Sequence, residues 1–196
     1  MKENSNQIVA NTIKEGDGSL DTATFAEGCF WCTESFFQQL KGVKKVISGY
    51  SGGFTPNPTY EAVCTGTTGY AETCNIIYDP KEISYDMLLE AFWESHDPTT
   101  LNRQGNDIGT QYRSVVFYHN EMQKEKAEMY KQKLNAEGAY DRPIVTAIEP
   151  YDNFYVAENY HQDYYENNPN QPYCQIVIRP KLAKFRKVFK DELKKN

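Results

Sequence analysis

The sequence lacks the features of a membrane protein and of a nucleic-acid-binding protein. No apolar run approaches the length of a membrane-spanning helix, and the first twenty residues have no apolar core of the signal-peptide kind. Cations are not in excess, since 21 Lys and Arg stand against 27 Asp and Glu, a formal charge of −6. We therefore expect no membrane span and no nucleic-acid partner, because a phosphate backbone is bound by clustered cations.

Cysteine is too scarce for a secreted scaffold held together by disulfides. The chain has five cysteines, an odd number, in 196 residues. Reactive or simply buried thiols are the better interpretation, and a reducing compartment suits them. We expect a cytoplasmic protein, although a leader that had been removed would leave no trace in this sequence.

The composition is that of one globular domain. The chain is 39% hydrophobic and 24% charged, with no internal repeat and no low-complexity block. Residues 1–20 are polar and include the turn cluster "EGDGS", which predicts a flexible lead-in. A single domain is expected over residues 21–196.

Strand and helix patterns alternate along that domain. Strands are predicted for "TATFA", "VKKVISGY", "AETCNIIY", "RSVVFY" and "IVTAIEP". Helices are predicted after Gly28, after Ser84, from Asn120 to Gly138, and in the basic closing stretch "KLAKFRKVFKDELKK". This order favours an α+β fold, a two-layer α/β sandwich on a mainly antiparallel mixed sheet. The segment "DPTTLNRQGNDIGTQY" is predicted to be a long polar loop.

The stretch "GCFWCTESFFQQL" puts Cys29 at the start of a predicted helix, directly after a glycine. Unpaired backbone N–H groups and the helix dipole at that position favour a negative atom, so we predict a lowered pKa and a nucleophilic thiolate. The alternative is a buried, inert cysteine, which is the commoner situation for a free thiol.

Other chemistries of these residue types stay open on spacing alone. Cys29 and Cys32 have the C-x-x-C spacing of a thioredoxin-like redox pair. A zinc site would need about four ligands, and Cys64 and Cys74, with nine residues between them, do not make a second tight pair. A Cys-His hydrolase would use one of the three histidines, although each lies in polar sequence and is expected to be solvated or locally hydrogen-bonded. The candidates are His96, His119 and His161, with Asp97 or Asp163 as the orienting carboxylate.

At "GCFWCTE" the sequence resembles the methionine sulfoxide reductases of the A class, whose hallmark is Gly-Cys-Phe-Trp at a helix start. The resemblance continues through "GYSGG", "NPTYEAVCTGTTGYAE", "YDP", "HDPT", "NRQGNDIGTQYRS", "YHQDYYENNP" and "PYC", over roughly residues 24–180. It implies a two-layer α/β sandwich with a ferredoxin-like core and an extended C-terminal coil. It also implies reduction of methionine-S-sulfoxide, free or in proteins, with recycling by thioredoxin or a similar dithiol. We further expect a monomer that needs no cofactor or metal.

The resemblance implies a role for seven residues of this chain. Cys29 matches the nucleophile, which would become a sulfenic acid as methionine departs. Glu72 matches the acid that protonates the sulfoxide oxygen, with a pKa raised by desolvation. The remaining five match residues that hold the substrate: Phe30 and Trp31 line the methyl pocket, Tyr60 and Tyr112 bond the sulfoxide oxygen, and Asp107 orients the site through water or Tyr112.

The cycle closes when a second thiol attacks the sulfenic acid and forms a disulfide. Cys174, in "PYC", matches the resolving cysteine of the family, carried on a mobile coil. Cys32 stands where the family commonly has glycine and is the alternative. Two further departures are Tyr70, where histidine is usual near Glu72, and a basic tail in place of a glycine-rich one.

The sequence also permits two other functions. One is a general dithiol oxidoreductase that uses Cys29 and Cys32, against which the bulky Phe30 and Trp31 leave little room for another protein's disulfide. The other is a binding module in which the tyrosine-rich segment 151–165 stacks a ligand or peptide. We expect Cys64 and Cys74, placed beside strands, to be structural.

Overall fold

The structure, a computed structural model, describes residues 19–195. The predicted lead-in lies outside the described residues except for its last two positions. Eight strands are present in the described part: β1 (Asp21–Glu27), β2 (Val43–Ser51), β3 (Ala71–Tyr78), β4 (Arg103–Gln104), β5 (Asp107–Ile108), β6 (Ser114–Tyr118), β7 (Ala147–Pro150) and β8 (Tyr155–Val156). It also holds six α-helices: α1 (Phe30–Phe37), α2 (Tyr60–Cys64), α3 (Tyr85–Ser95), α4 (Glu121–Ala136), α5 (Tyr164–Asn167) and α6 (Arg179–Val188).

Six strands form one sheet in the order β7-β6-β1-β3-β2-β8. Every neighbouring pair is antiparallel except β6 and β7, which run parallel. The sequence β1-α1-β2-β3-α3-β6 with the spatial order β6-β1-β3-β2 is the ferredoxin-like arrangement. The predicted α+β sandwich on a mainly antiparallel mixed sheet is confirmed.

Local signals set the boundaries of the helices. The side chains of Ser84 and Asn120 accept hydrogen bonds from the backbone N–H groups of Met87 and Gln123, so both predicted N-caps are in place. Gly138, just past the end of α4, has φ +63°, the left-handed conformation that glycine adopts at little cost.

The core lies between the sheet and the helices α1, α3 and α6. The ring of Phe25 on β1 contacts Phe37 of α1 at 5.6 Å and Phe92 of α3 at 4.9 Å between centroids. Helix α6 covers the other side of α1, where Phe36 and Phe185 stack at 5.2 Å. Helix α1, which begins directly after Cys29, is therefore held between the sheet and two further helices.

Two predicted irregular segments contain regular structure. Cys174 does not lie on an extended coil: residues Cys174–Ile178 form a π-helical turn that leads directly into α6. The apolar residues Cys174, Ile178 and Leu182 recur every four positions and are all buried, which favours a helix over a coil. The long polar loop contains the β4–β5 hairpin, closed by Gly105 with φ +58°.

Within residues 19–195 no helix is long and apolar enough to cross a membrane. The predicted absence of a span is tested only for that part of the chain.

A buried carboxyl lies at the end of β1, immediately before the Gly28 turn. Glu27 accepts a hydrogen bond from the Ser95 hydroxyl at 2.8 Å, and burial raises the pKa of Glu27 to about 8. His96 lies 3.5 Å from the same carboxyl oxygen, but burial lowers the pKa of His96 to about 4. Both groups are neutral near pH 7, so this contact is not an ion pair.

We expect the free energy of unfolding to fall as pH rises from 4.5, the ordinary carboxyl value, to about 8, since over this range the folded protein keeps the Glu27 proton that the unfolded chain has lost. The stabilisation is complete below the ordinary carboxyl pKa and is lost as pH rises through about 8. Glu27→Gln should reduce this slope by up to about 1.4 kcal/mol per pH unit in urea titrations at several pH values. Glu90→Gln, at an exposed position of α3, is the matched control and should leave the slope unchanged. Equal slopes in the parent and Glu27→Gln would contradict the assignment.

Candidate active site

The turn between β1 and α1 fixes the position of Cys29. Gly28 has φ +108°, and a Cβ built on it would lie 2.8 Å from the side chain of Gln104. Cys29 then occupies the N-cap of α1, and its carbonyl oxygen accepts the N–H of Cys32 at 3.1 Å. Only glycine fits both the backbone conformation and the close approach, so this residue dictates the sharp turn from strand to helix.

Gly28→Ala is expected to destabilise the protein by about 3 kcal/mol, because the new methyl group combines backbone strain with the contact to Gln104. Gly105→Ala is the matched control, since Gly105 also has positive φ but nothing lies within 4 Å of its added Cβ. That variant should cost only about 1 kcal/mol. Urea denaturation measures both values, and an equal cost at the two sites would contradict the steric argument.

The thiol of Cys29 is buried, with 9% of the residue exposed. Burial raises its pKa well above the ordinary value, and the adjacent Cys32 thiol raises it further. The Tyr173 hydroxyl and the backbone N–H of Trp31 act in the opposite direction, but they do not outweigh burial. The predicted lowering of the Cys29 pKa by the helix start is therefore wrong for this arrangement, in which the thiol keeps its proton.

Glu72 lies on β3 and reaches the start of α1. The backbone N–H of Phe30 donates to its Oε1 at 3.2 Å. Its Oε2 is buried and has no hydrogen-bond partner among residues 19–195. Burial, followed by the charges of Cys29 and Asp107, raises the pKa of Glu72 well above its usual range. The carboxyl is thus protonated near neutral pH, with one oxygen uncommitted.

The two predicted tyrosines flank this carboxyl. Tyr60 begins α2, and its backbone N–H donates to Glu158 at 3.1 Å. Tyr112 ends a short 3-10 turn, and its hydroxyl is near enough to Glu72 to lower that carboxyl's pKa. The pKa of each tyrosine is raised, first by burial and then by the charge of Glu72, so both hydroxyls keep their protons.

Asp107 does enter the site, but through a different partner from the one expected. Its Oδ2 accepts the hydroxyl of Tyr173 at 2.7 Å, and no bond to Tyr112 is formed in the described residues. The hydroxyl of Tyr173 also lies 3.9 Å from the sulfur of Cys32 and lowers the pKa of Cys29. The hairpin that carries Asp107 therefore holds the chain next to Cys174 against the thiols.

An aromatic wall surrounds the start of α1. Trp31 stacks on Tyr164 at 3.7 Å between ring centroids, and Tyr173 meets it edge-on at 5.7 Å. Phe30 is buried, with its ring 5.0 Å from that of His161. Phe30 and Trp31 follow Cys29 directly on α1, whereas the rest of the wall comes from residues more than 120 positions away in sequence.

His161 is neither solvated nor locally bonded, as had been expected of the histidines. Its Nδ1 accepts the indole N–H of Trp31 at 3.0 Å, across 130 residues of sequence, so the neutral ring carries its proton on Nε2. Burial lowers its pKa to about 4, and Nε2 has no partner among the described residues. Neither nitrogen is bonded to Cys29 there, which does not favour a Cys-His hydrolase.

The other cysteines differ in their distance from the site. All five are free thiols. Cys174 is buried, and its pKa is raised first by burial and then by the neighbouring Cys29. Cys74 lies within β3 rather than beside it, and its sulfur is 3.7 Å from the carbonyl of Phe30. Cys64 ends the helix α2 and is exposed near the Tyr60 hydroxyl, so the expected strand-flanking placement is wrong for both.

Tyr70, which stands where the family usually has histidine, supports the loop that contains Thr55. Its hydroxyl donates to the carbonyl of Thr55 at 2.6 Å, and its ring packs edge-on against Tyr155. Residues 19–195 contain no cluster of three or more His, Cys, Asp or Glu side chains that could hold a metal ion.

The family model "Peptide methionine sulfoxide reductase" matches residues 21–193, nearly the whole of the described chain. The chain belongs to this family. Peptide methionine sulfoxide reductase MsrA of Deinococcus radiodurans is 54% identical over 174 residues, covering 89% of this chain and 84% of that protein. The resemblance stated from the motifs is confirmed, and the protein is an enzyme, a methionine sulfoxide reductase that depends on its thiols.

Solved structures of the family share the fold. Mxr1 from Saccharomyces cerevisiae in reduced form matches with a TM-score of 0.72 at 36% identity, over 79% of this chain and 89% of that chain. Mxr1 in complex with Trx2 matches with a TM-score of 0.53 at 27% identity, over 79% of this chain and 91% of that chain. Two site residues of this reductase, Tyr164 and Tyr173, were not singled out from the sequence, and a third, His161, was named only as a candidate for a Cys-His hydrolase. Their signal lies in the family stretches "YHQDYYENNP" and "PYC", which contain all three.

Proposed function

We propose that the enzyme reduces the S epimer of methionine sulfoxide, free or within proteins, with Cys29 as nucleophile and Glu72 as acid. The observation that carries this proposal is the burial of Cys29 and Glu72 together at the start of α1, where Glu72 accepts the N–H of Phe30 at 3.2 Å and keeps one oxygen without a partner among the described residues. Burial raises the pKa of both groups, so each carries a proton to give. A sulfoxide needs a proton on oxygen and a nucleophile on sulfur, and this pair supplies both.

The first step is a transfer of oxygen from the substrate to Cys29. Glu72 gives its proton to the sulfoxide oxygen, which makes the sulfoxide sulfur a better electrophile, and the hydroxyls of Tyr60 and Tyr112 stabilise the oxygen. The sulfur of Cys29 attacks the sulfoxide sulfur, and its proton passes to the Glu72 carboxylate. The hydroxyl group then moves from the substrate sulfur to the Cys29 sulfur as the bond between the two sulfurs breaks, and methionine leaves. Cys29 ends as a sulfenic acid with the substrate's oxygen, and Glu72 is again protonated.

Selectivity for one epimer follows from the asymmetric surroundings of that sulfur. The rings of Phe30 and Trp31 offer an apolar seat for the methyl group, and Tyr164 extends the seat by stacking on Trp31. The polar groups, Glu72 with the two tyrosines, lie on the side that would receive the oxygen. The opposite epimer would exchange these positions and place its oxygen against apolar rings, which costs free energy.

The sulfenic acid is then cleared by Cys174, which attacks it to form a disulfide and release water. Cys174 is near Cys29, and Tyr173 beside it touches the thiols. The alternative is Cys32, one helical turn from Cys29 and adjacent to its sulfur. The mobile coil expected around Cys174 is a buried helical turn, so this route requires the first turn of the segment to rearrange.

Thioredoxin is the proposed external reductant, supported by the relative that has been seen in complex with Trx2. The proposal further comprises a single catalytic domain over residues 21–196, a monomer that needs no cofactor or metal, and a cytoplasmic location. The scarce, unpaired cysteines support a reducing compartment.

Chiral chromatography of racemic methionine sulfoxide tests the main claim. After incubation with enzyme and dithiothreitol we expect the S epimer to disappear, methionine to appear in equal amount, and the R epimer to survive. Equal loss of both epimers would overturn the proposed selectivity, and no methionine at all would overturn the activity.

Replacement of single thiols identifies the resolving cysteine. Cys174→Ser is expected to complete one stoichiometric round of reduction and then stop when thioredoxin is the reductant, because the sulfenic acid has no partner thiol. Cys32→Ser, the matched replacement on α1, should continue to turn over. Methionine formed per enzyme is measured by rapid quench. Full turnover in Cys174→Ser, with loss in Cys32→Ser, would assign the resolving role to Cys32.

A further inference from the structure

The positive charge of this acidic chain is concentrated at its C-terminal end. Residues 179–195 carry eight of the 21 Lys and Arg residues and only two acids, Asp191 and Glu192, in a chain whose net charge is −6. These eight are Arg179, Lys181, Lys184, Arg186, Lys187, Lys190, Lys194 and Lys195, and all are exposed. None of them lies within ion-pair distance of a carboxylate in the part of the chain that the structure describes.

This basic helix is continuous with the turn that carries Cys174. The π-helical turn Cys174–Ile178 runs directly into α6, and Leu182, Phe185 and Phe189 are buried against the rest of the protein. The apolar stripe is thus committed to the core, while the cations face solvent. Ile176, two positions after Cys174, is 74% exposed and adds an apolar spot next to the thiol.

Helix α6 leads away from the site along α1. Its first residues adjoin Cys174, whereas Phe185 stacks on Phe36 near the end of α1, and Leu193 pairs with Leu40 beyond it. At a helical rise of about 1.5 Å per residue, Lys181 and Lys184 lie about 10 Å and about 15 Å from Cys174 along the axis. An interface of about 800 Å² per partner has a radius of roughly 16 Å, so a protein centred on Cys174 covers both lysines.

We propose that the basic face of α6 is the docking surface for the protein reductant, and that it selects a dithiol protein with acidic residues around its dithiol. The proposal rests on the proposed function, in which a disulfide of Cys174 is the group to be reduced. A thiolate of the reductant attacks that disulfide, which releases one enzyme thiol and forms a mixed disulfide. The second thiol of the reductant then attacks the mixed disulfide and releases the other enzyme thiol. Two electrons and two protons pass to the enzyme, and the partner leaves as a disulfide.

The reductant fits this surface better than the substrate does. To attack the disulfide of Cys174, the reductant must bring one of its own sulfurs within bonding distance of that disulfide. The reductant must therefore contact the turn Cys174–Ile178 and the first turns of α6. Oxidised methionines occur in polypeptides of any charge, and a fixed positive surface offers no general recognition of them. The groove beside Lys181 and Lys184 also contains acidic side chains, and none of them lies within ion-pair distance of either lysine: Glu90, Glu94, Asp97, Glu137 and Asp141.

The test compares two reductants on one substrate, N-acetylmethionine sulfoxide. An acidic thioredoxin serves as protein reductant and dithiothreitol as the neutral small one. In Lys181→Glu/Lys184→Glu we expect kcat/KM for thioredoxin to fall about tenfold, with dithiothreitol-driven turnover unchanged. The matched control is Lys45→Glu/Lys81→Glu, which changes the net charge equally at the end of the sheet opposite Cys29. The control should keep the parent value.

The unaltered enzyme gives a second measurement that does not depend on a variant. Its kcat/KM for thioredoxin should fall when NaCl is raised from about 25 mM to about 250 mM, because salt screens exposed charges. An equal loss in test and control variants, or no salt dependence in the parent, would overturn the proposal. The proposal would also be overturned if Lys181→Glu/Lys184→Glu kept its thioredoxin-driven activity but lost the dithiothreitol-driven reduction of an acidic oxidised protein. That result would show that the basic face of α6 binds the substrate and not the reductant. Absence of dithiothreitol-driven turnover in the parent would instead refute the proposed function.

Discussion

Cys29→Ser is expected to lower methionine sulfoxide turnover by more than about 10⁴-fold, because a serine hydroxyl is a far weaker nucleophile and cannot become a sulfenic acid. The loss should extend to the first turnover, which separates the nucleophile from a resolving cysteine. Rapid-quench measurement of methionine formed per enzyme with dithiothreitol checks this. Cys64→Ser, an exposed cysteine outside the proposed machinery, is the control and should retain activity within about threefold of the parent.

The protonation state of Cys29 is tested separately by alkylation. Because burial and the Cys32 thiol raise its pKa, we expect the rate of its reaction with iodoacetamide in the free enzyme to be low at pH 7 and still rising above pH 9. Peptide mass spectrometry follows the modification of this one thiol. A rate that levels off below pH 7 would show a resting thiolate and would contradict the structure. A first turnover in Cys29→Ser would remove Cys29 from its role.

Glu72→Gln is expected to lower kcat by about 10²- to 10⁴-fold, since the amide cannot deliver a proton to the sulfoxide oxygen. The substitution preserves the shape of the side chain and the oxygen that accepts the Phe30 N–H. The parent's kcat/KM should fall as pH rises through the raised pKa of Glu72, because the protonated carboxyl is the active form. That alkaline decrease should be absent from the variant. Initial rates from pH 6 to 10 measure both.

Glu61→Gln provides the matched control for this carboxyl. Glu61 is exposed on α2, next to Tyr60, and the same change there should leave kcat within about twofold of the parent. An unchanged kcat in Glu72→Gln at neutral pH would exclude Glu72 as the acid. A rate lowered equally at all pH values would leave the alkaline decrease in place and would show that a group other than Glu72 is responsible for it.

Much of the fold was predictable because its signals lie within short stretches of chain. Ser84 and Asn120 cap their helices through bonds to residues three positions away, and Gly138 ends α4 just beyond its last turn. The segment around Cys174 was predicted wrongly, because its polar surroundings suggest a coil. Its burial against α1 stabilises a helix, and no local pattern specifies that contact.

The site divides in the same way. The positions of Cys29, Glu72, Tyr60 and Tyr112 agree with the motifs, whereas the partner of Asp107 is a tyrosine 66 residues away. His161 was named only as a candidate hydrolase histidine and was expected to be solvated or locally hydrogen-bonded, because its sequence environment is polar. Its ring instead lies against Phe30 and Trp31 of α1 and Tyr60 of α2. The direction of the Cys29 pKa was wrong for a related reason. The helix start is visible in the sequence, but the desolvation that outweighs it is a property of the packed protein.

The sequence by itself determined the family, the chemistry that its cysteines and acid can perform, the order of strands and helices, and the concentration of positive charge at the C-terminal end. These depend on residue identity and on neighbours a few positions apart. The tertiary structure alone decided which groups are buried, and therefore that Cys29 and Glu72 both keep their protons. It alone brought His161, Tyr164 and Tyr173 to the start of α1. Burial and long-range contact depend on how distant segments pack, and short-range patterns do not encode that packing.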